Sequence, residues 1–217
     1  MFFGKKVFFI ILLSVFVLTA GLAAQDADLV NLPAPQMTGG KPLLDCLKAR
    51  QSGREFSSEK LPLRVLSNLL WAADGINRPD SGKRTAPSAV NWQDIDVYAA
   101  TADGVFLYLS KEHALKKIVG EDLRAAMGKQ EFVKDVPLNL VYVSDYSKIP
   151  RGTDEDKRSI SGTHTGFISQ NVYLFCASEG LSTVVRGLID EETAAKAMKL
   201  RPEQHITLAQ SVGYPKK

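Results

Sequence analysis

The chain has 217 residues, with 27 Lys and Arg against 24 Asp and Glu, two cysteines and three histidines. Basic residues are scattered among acidic ones, which argues against a nucleic-acid surface, and the cysteines and histidines (His113, His164, His205) show no metal-ligand spacing. The length suits one domain with a substantial core and is short for two.

Lys5 and Lys6 precede an apolar run from Val7 to Leu18, and small residues at Gly21 to Ala24 follow. These are the three regions of a secretory signal peptide, predicted over residues 1–24. The run is shorter than the ~20 residues that cross a bilayer. Cleavage is therefore expected to leave a chain with no stable membrane insertion, periplasmic or secreted. Residues 25–40, with Pro33, Pro35 and Gly39-Gly40, predict an extended N-terminal arm ahead of a domain over 41–217. Cys46 and Cys176 lie in apolar runs and read as buried free thiols, although export would permit a disulfide.

A helix is predicted from Pro42 to about Arg50, with proline as a favoured starter. It delivers Ala49-Arg50-Gln51-Ser52-Gly53-Arg54-Glu55-Phe56. Two arginines four apart, with a serine hydroxyl between them, make a compact donor set with no acceptor built in. That chemistry suits a phosphate monoester. The same arginines also suit a simpler role, complementing the carbonyls at a helix C-terminus. A second helix is predicted over Pro62 to Ala73, with Leu63, Leu66, Leu69, Leu70 and Ala73 on one face and Gly75 as its stop. Asn77 to Arg84 reads as a loop.

Ile95–Ala99 and Val105–Leu109 read as strands joined by an Asp103-Gly104 turn. Glu121–Met127 reads as a short helix and Leu138–Val143 as a central strand. Ser161–Ser178 is the longest helix predicted, with Phe167, Ile168, Val172, Phe175 and Cys176 positioned for burial. Thr183–Val185, Glu191–Met198 and Ile206–Val212 read as strand, helix and strand. Strands and helices are mixed, so the class is α+β.

Pro87-Ser88-Ala89-Val90-Asn91-Trp92-Gln93 adds a second group of polar residues. It resembles the Pro-Ser-x-x-Asn-x-Gln segment of the nitroreductase family of FMN-dependent oxidoreductases. Arg50, Ser52, Arg54 and Phe56 resemble the Arg-x-Ser-x-Arg/Lys-x-Phe stretch that precedes that segment in the family. The helix closed by Gly180-Leu181 and the final Gly213-Tyr214-Pro215 also resemble family features. Leu70–Ile76 with Arg84–Ser88 is especially similar to the SagB-type dehydrogenases. The resemblance covers roughly residues 42–215. It implies a three-layer fold, a central mixed, mainly antiparallel sheet flanked by helices. It also implies a homodimer with FMN at the interface, a small-molecule substrate, and NAD(P)H as a candidate donor.

On this resemblance Arg50, Gln51 and Ser52 are expected at the FMN phosphate, and Arg54 at the pyrimidine edge of the flavin, where a cation tunes reduction. Pro87, Ser88, Ala89 and Asn91 are expected to reach the flavin of the other subunit, and the backbone of Arg186-Gly187 to lie near N5. No protein group is expected to serve as an essential catalytic base. Three departures stand out. Gln93-Asp94-Ile95 replaces the family's Gln-Pro-Trp. Lys216-Lys217 stand where relatives often carry a longer basic tail, so Lys216 is a candidate phosphate ligand. Some relatives carry an acid where this chain has Arg186. Ser57-x-x-Lys60 matches the Ser-x-x-Lys of penicillin-interacting enzymes, but no Lys-Thr-Gly supports it and capping explains the serines better. Export leaves one alternative, a flavin- or ligand-binding protein on the same fold without turnover.

Overall fold

A computed structural model describes Met1 and residues 28–216; the predicted signal peptide lies outside the described residues apart from Met1. Seven strands form one sheet. They are β1 (Leu29–Asn31), β4 (Ile95–Thr101), β5 (Gly104–Leu109), β6 (Ala114–Val119), β7 (Leu138–Asp145), β8 (Ser182–Arg186) and β9 (Gln204–Gly213), in the order β1-β6-β5-β4-β7-β9-β8. Every pairing among them is antiparallel. β2 (Ile76–Arg78) and β3 (Lys83–Arg84) make a separate ribbon inside the segment read as a loop. The helices are α1 (Leu43–Ala49), α2 (Leu63–Asp74), α3 (Asp154–Glu179) and α4 (Glu191–Ala197).

Strand alternation builds two cores, one on each face of the sheet. Val97 and Ala99 of β4 and Leu138, Leu140 and Tyr142 of β7 join Leu69, Leu70 and Ala73 of α2 and Ile168, Val172 and Cys176 of α3. Their neighbours Tyr98, Ala100, Val141 and Val143 point the other way, onto Ala194 of α4, Met127 and Met198. The result is three layers with β7 fully buried at the centre. Both cysteines are free and buried, and burial pushes the Cys176 thiol well above its usual range.

Several elements differ from the sequence reading. The arm supplies β1, which covers β6 at the sheet edge, with the Lys117 N–H donating to the Asp28 carbonyl at 2.7 Å. β6 itself was not read, because Lys116 and Lys117 interrupt its alternation. Glu121–Met127 is not an α-helix; Arg124–Met127 forms a 3-10 turn. α3 begins at Asp154 rather than Ser161. Thr153 caps it reciprocally with Asp156, and three acids in the first turn complement the helix dipole. Phe167 is 44% exposed rather than buried, because one residue along a helix is a rotation of about 100°. The inward face there belongs to His164, Thr165 and Ile168.

Candidate functional site

Arg50 caps the C-terminus of α1, its N–H donating to the Cys46 carbonyl at 2.8 Å. The chain then turns sharply against the outer edge of β8. The Gly53 N–H donates to the Thr183 carbonyl at 2.9 Å. A Cβ at this position would meet the Ser182 hydroxyl and force it to rotate, so glycine lets the turn approach β8 with Ser182 undisturbed. Tyr173, on α3, organises the turn from behind. Its hydroxyl lies 2.8 Å from Ser52 Oγ and accepts from the Val185 N–H at 3.0 Å. The Arg50 guanidinium sits over its ring, 5.3 Å from the centroid.

Gln51, Ser52 and Arg54 are exposed. Among the described residues no carboxylate lies within ion-pair distance of Arg50 or Arg54. The C-terminal tail returns to this turn. The Ser57 N–H donates to the Tyr214 carbonyl at 2.8 Å and the Lys216 N–H to the Glu55 carbonyl at 3.4 Å, which sets Lys216 beside Arg54-Glu55. A cavity of about 250 Å³ opens between Gln51, Gly53, Tyr173, Ser182 and Pro215. This set of unpaired cations, hydroxyls and backbone fits an anionic group such as the phosphate of FMN.

The outer edge of β8 continues past the contacts of Thr183 and Val185. In an antiparallel strand alternate residues face opposite edges, so Arg186 pairs inward with Ala209 and Gly187 comes next on the open edge. Gly187 is exposed. The Arg186 side chain points into the molecule. Nε donates to Ser211 Oγ at 3.1 Å, Nη1 to the Met127 carbonyl at 2.9 Å and Nη2 to Asn139 Oδ1 at 2.9 Å. It has no carboxylate partner among the described residues, and burial pushes it down to about 10.

Pro87, Ser88, Ala89 and Asn91 lie on a loop with unusual backbone. Val90, Asn91 and Gln93 have φ of 48°, 59° and 50°, in the left-handed region that β-branched residues rarely enter. Ser88 Oγ accepts from the Gln93 N–H at 2.9 Å, and Gln93 Nε2 donates to the Gly82 carbonyl at 2.9 Å. The Ala89 N–H donates to His164 Nε2 at 2.8 Å. His164 and Tyr173 are two and a half turns apart on α3, on opposite sides and about 13 Å apart along its axis. One chain therefore holds its two predicted clusters on opposite faces of the same helix.

Behind the loop, Arg84 Nη1 is paired with Asp74 Oδ2. Burial pushes the Asp74 carboxyl up to about 7, against the pull of the guanidinium. A folded-state value above the ordinary 3.8 means that the stability this group contributes is full below that value and lost as the pH rises through about 7. Asp74→Asn keeps an acceptor for Arg84 and does not titrate. The difference in urea midpoint between about pH 5 and about pH 8 should be smaller in that variant than in the native chain. An unchanged difference would assign the pH dependence to other groups.

Ser57 and Lys60 form no catalytic pair. Ser57 Oγ accepts from the Glu59 N–H and Lys60 Nζ pairs with Asp103 at 3.0 Å. Sequence reasoning missed Tyr173, Asp94 and His164, each of which meets its partners only across long stretches of chain.

Residues 47–214 match the model of the nitroreductase family. A provisionally named nitroreductase of Methanocaldococcus jannaschii is 31% identical over 184 residues, 80% of this chain and 92% of that protein. A solved structure of a provisionally named nitroreductase from Ralstonia eutropha is 38% identical, with a TM-score of 0.84 over 88% of this chain and 90% of that one. One from Desulfovibrio desulfuricans, solved in complex with FMN, shares the fold at 20% identity and a TM-score of 0.60, over 82% of this chain and 89% of that one. The match to the family model and the identity to these relatives extend over most of the described fold, and the chain belongs to the nitroreductase family of oxidoreductases.

Proposed function

We propose that the chain is an exported, homodimeric FMN-dependent oxidoreductase that moves hydride or electrons between its flavin and a small organic molecule. The observation that carries this reading is the turn at 50–54. It offers two arginines and a hydroxyl without carboxylate partners among the described residues, held on Tyr173 and β8. Arg50, Gln51 and Ser52 would hold the phosphate, with Lys216 close enough to assist. Arg54 would favour negative charge at the pyrimidine edge, and the exposed Gly187 would offer its N–H near N5. Bound FMN supplies hydride chemistry that no side chain provides. The FMN held by the Desulfovibrio relative supports the choice of cofactor.

A second copy is supported by apolar surface. α1 presents Leu43, Leu44 and Leu47 at 62%, 77% and 47% exposure, and α3 presents Phe167. Gly162 and Gly166, on α3 beside Phe167, leave open space where side chains would stand. Docking there would let Pro87, Ser88, Ala89 and Asn91 of one copy reach the flavin of the other. Export separates the protein from the usual nicotinamide supply, so NAD(P)H is one candidate donor among several. The test is anaerobic: FMN-loaded protein is mixed with NADH, NADPH or dithionite, then with a quinone or nitroaromatic acceptor. The visible band should bleach with at least one donor and return, over repeated cycles, with acceptor. A flavin bound but inert through every combination would contradict an oxidoreductase and favour a binding protein.

A further inference from the structure

Asp94 is fully buried and His164 is 2% exposed. Their geometry fixes their protons. A backbone N–H only donates, so the Ala89 N–H at 2.8 Å requires His164 Nε2 to be bare. The neutral ring then carries its proton on Nδ1, which donates to Asp94 Oδ1 at 2.6 Å. The other carboxylate oxygen faces Ser161 Oγ at 3.1 Å and Ser144 Oγ at 3.3 Å, and the two hydroxyls are 2.7 Å apart. Each serine has one proton. The distances favour Ser144 donating to Ser161 and Ser161 donating to Asp94. A chain of hydrogen bonds thus runs from β7 through Asp94 and His164 to the backbone of Ala89, beside the residues with positive φ.

We infer that Asp94 and His164 are positioning residues: Asp94 locks the His164 tautomer, and Nε2 holds Ala89, and with it Ser88 and Asn91, in the strained loop conformation. The inference rests on the reading of this loop as the part of one copy that covers the flavin of the other. Trp92 packs edge-on to the His164 ring, with centroids 6.5 Å apart.

The first test needs no variant and no flavin. Long-range proton–nitrogen NMR of the intact native chain should show Nδ1 protonated and Nε2 bare at neutral pH. The opposite tautomer, or a doubly protonated ring, overturns the inference. The second test compares His164→Leu with His164→Gln, whose amide can both donate to Asp94 and accept from Ala89. Loss of one backbone hydrogen bond should speed amide exchange at Ala89 about tenfold in the leucine variant and weaken FMN binding by a similar factor. The glutamine variant should recover most of both. Unchanged Ala89 exchange in a folded leucine variant overturns the inference. If the native chain binds no flavin at all, the reading of the loop fails, while the tautomer and the exchange rates still decide whether the pair holds Ala89.

Discussion

Replacing Arg186 by alanine should lower the stability of the chain by about 3 kcal/mol, a loss at the upper end of what single substitutions do. Two effects oppose each other. Removing the guanidinium relieves the burial that already pushes it down to about 10. Against that, alanine strips a charged donor from the Met127 carbonyl, Asn139 Oδ1 and Ser211 Oγ and leaves a cavity. Ser211 Oγ still donates to Asn139 Oδ1 at 2.7 Å, so the Met127 carbonyl is the acceptor left without this donor, at a cost of about 1–3 kcal/mol. A group near 10 is still protonated at neutral pH, so the native chain bears that burial cost in full, and the three charge-assisted hydrogen bonds and the filled volume are what outweigh it. Gly128 packs so closely on the guanidinium that a side chain there would collide with Nη1, which shows how tightly the pocket fits its occupant. Arg186→Met separates packing from hydrogen bonding, since it restores volume and no donors. It should still cost about 2 kcal/mol in urea denaturation at neutral pH. A methionine variant as stable as the native chain would mean that the network contributes nothing beyond filled space.

The elements that the sequence made legible are those whose burial follows a simple period. β4 and β5 run largely apolar around an Asp-Gly turn, β7 is buried throughout and apolar apart from Asn139, Ser144 and Asp145, and α4 starts at an Asp190 cap that accepts from the Thr193 N–H. β6 escaped because an edge strand covered only by the short β1 can carry two lysines in its middle. The first two turns of α3 are polar and solvated, so periodicity is silent there, and the capping box at Thr153 and Asp156 uses a shorter acid than the usual signature. Phe167 was misread for a related reason: α3 buries Ser161, His164, Thr165 and Ser169, polar residues that a hydrophobic count sends to the surface.

The candidate site divides in the same way. Arg50, Ser52 and Arg54 lie within five residues, and local spacing exposes them as a group. Tyr173 is more than a hundred residues away, and only the packing of α3 behind β8 brings its hydroxyl to Ser52. Asp94 and His164 meet across seventy residues. Nothing in either stretch signals the other, and the replacement of Pro by Asp after Gln93 was the single visible trace.

Arg50→Ala should weaken FMN retention by about 1.5–3 kcal/mol, roughly ten- to a hundredfold in dissociation constant. The side chain is half-buried over the Tyr173 ring, so its charge is partly screened from water and already oriented. A preorganised guanidinium loses less entropy on gripping phosphate than a free surface arginine does. Removing it from a site with no neighbouring carboxylate to release leaves an uncompensated loss. Arg50→Lys should recover part of the affinity, because the ammonium keeps the charge but not the planar fork.

The most direct measurement is the visible absorption spectrum of the chain from Gln25 onward, recorded after loading with excess FMN and removing unbound flavin, for the native protein beside Arg50→Ala. The native protein should keep a flavin spectrum at about one flavin per chain, and the variant should lose most of it under the same wash. A native chain that emerges colourless after loading would contradict the phosphate site at Arg50, Ser52 and Arg54, and with it the flavin chemistry proposed for this fold.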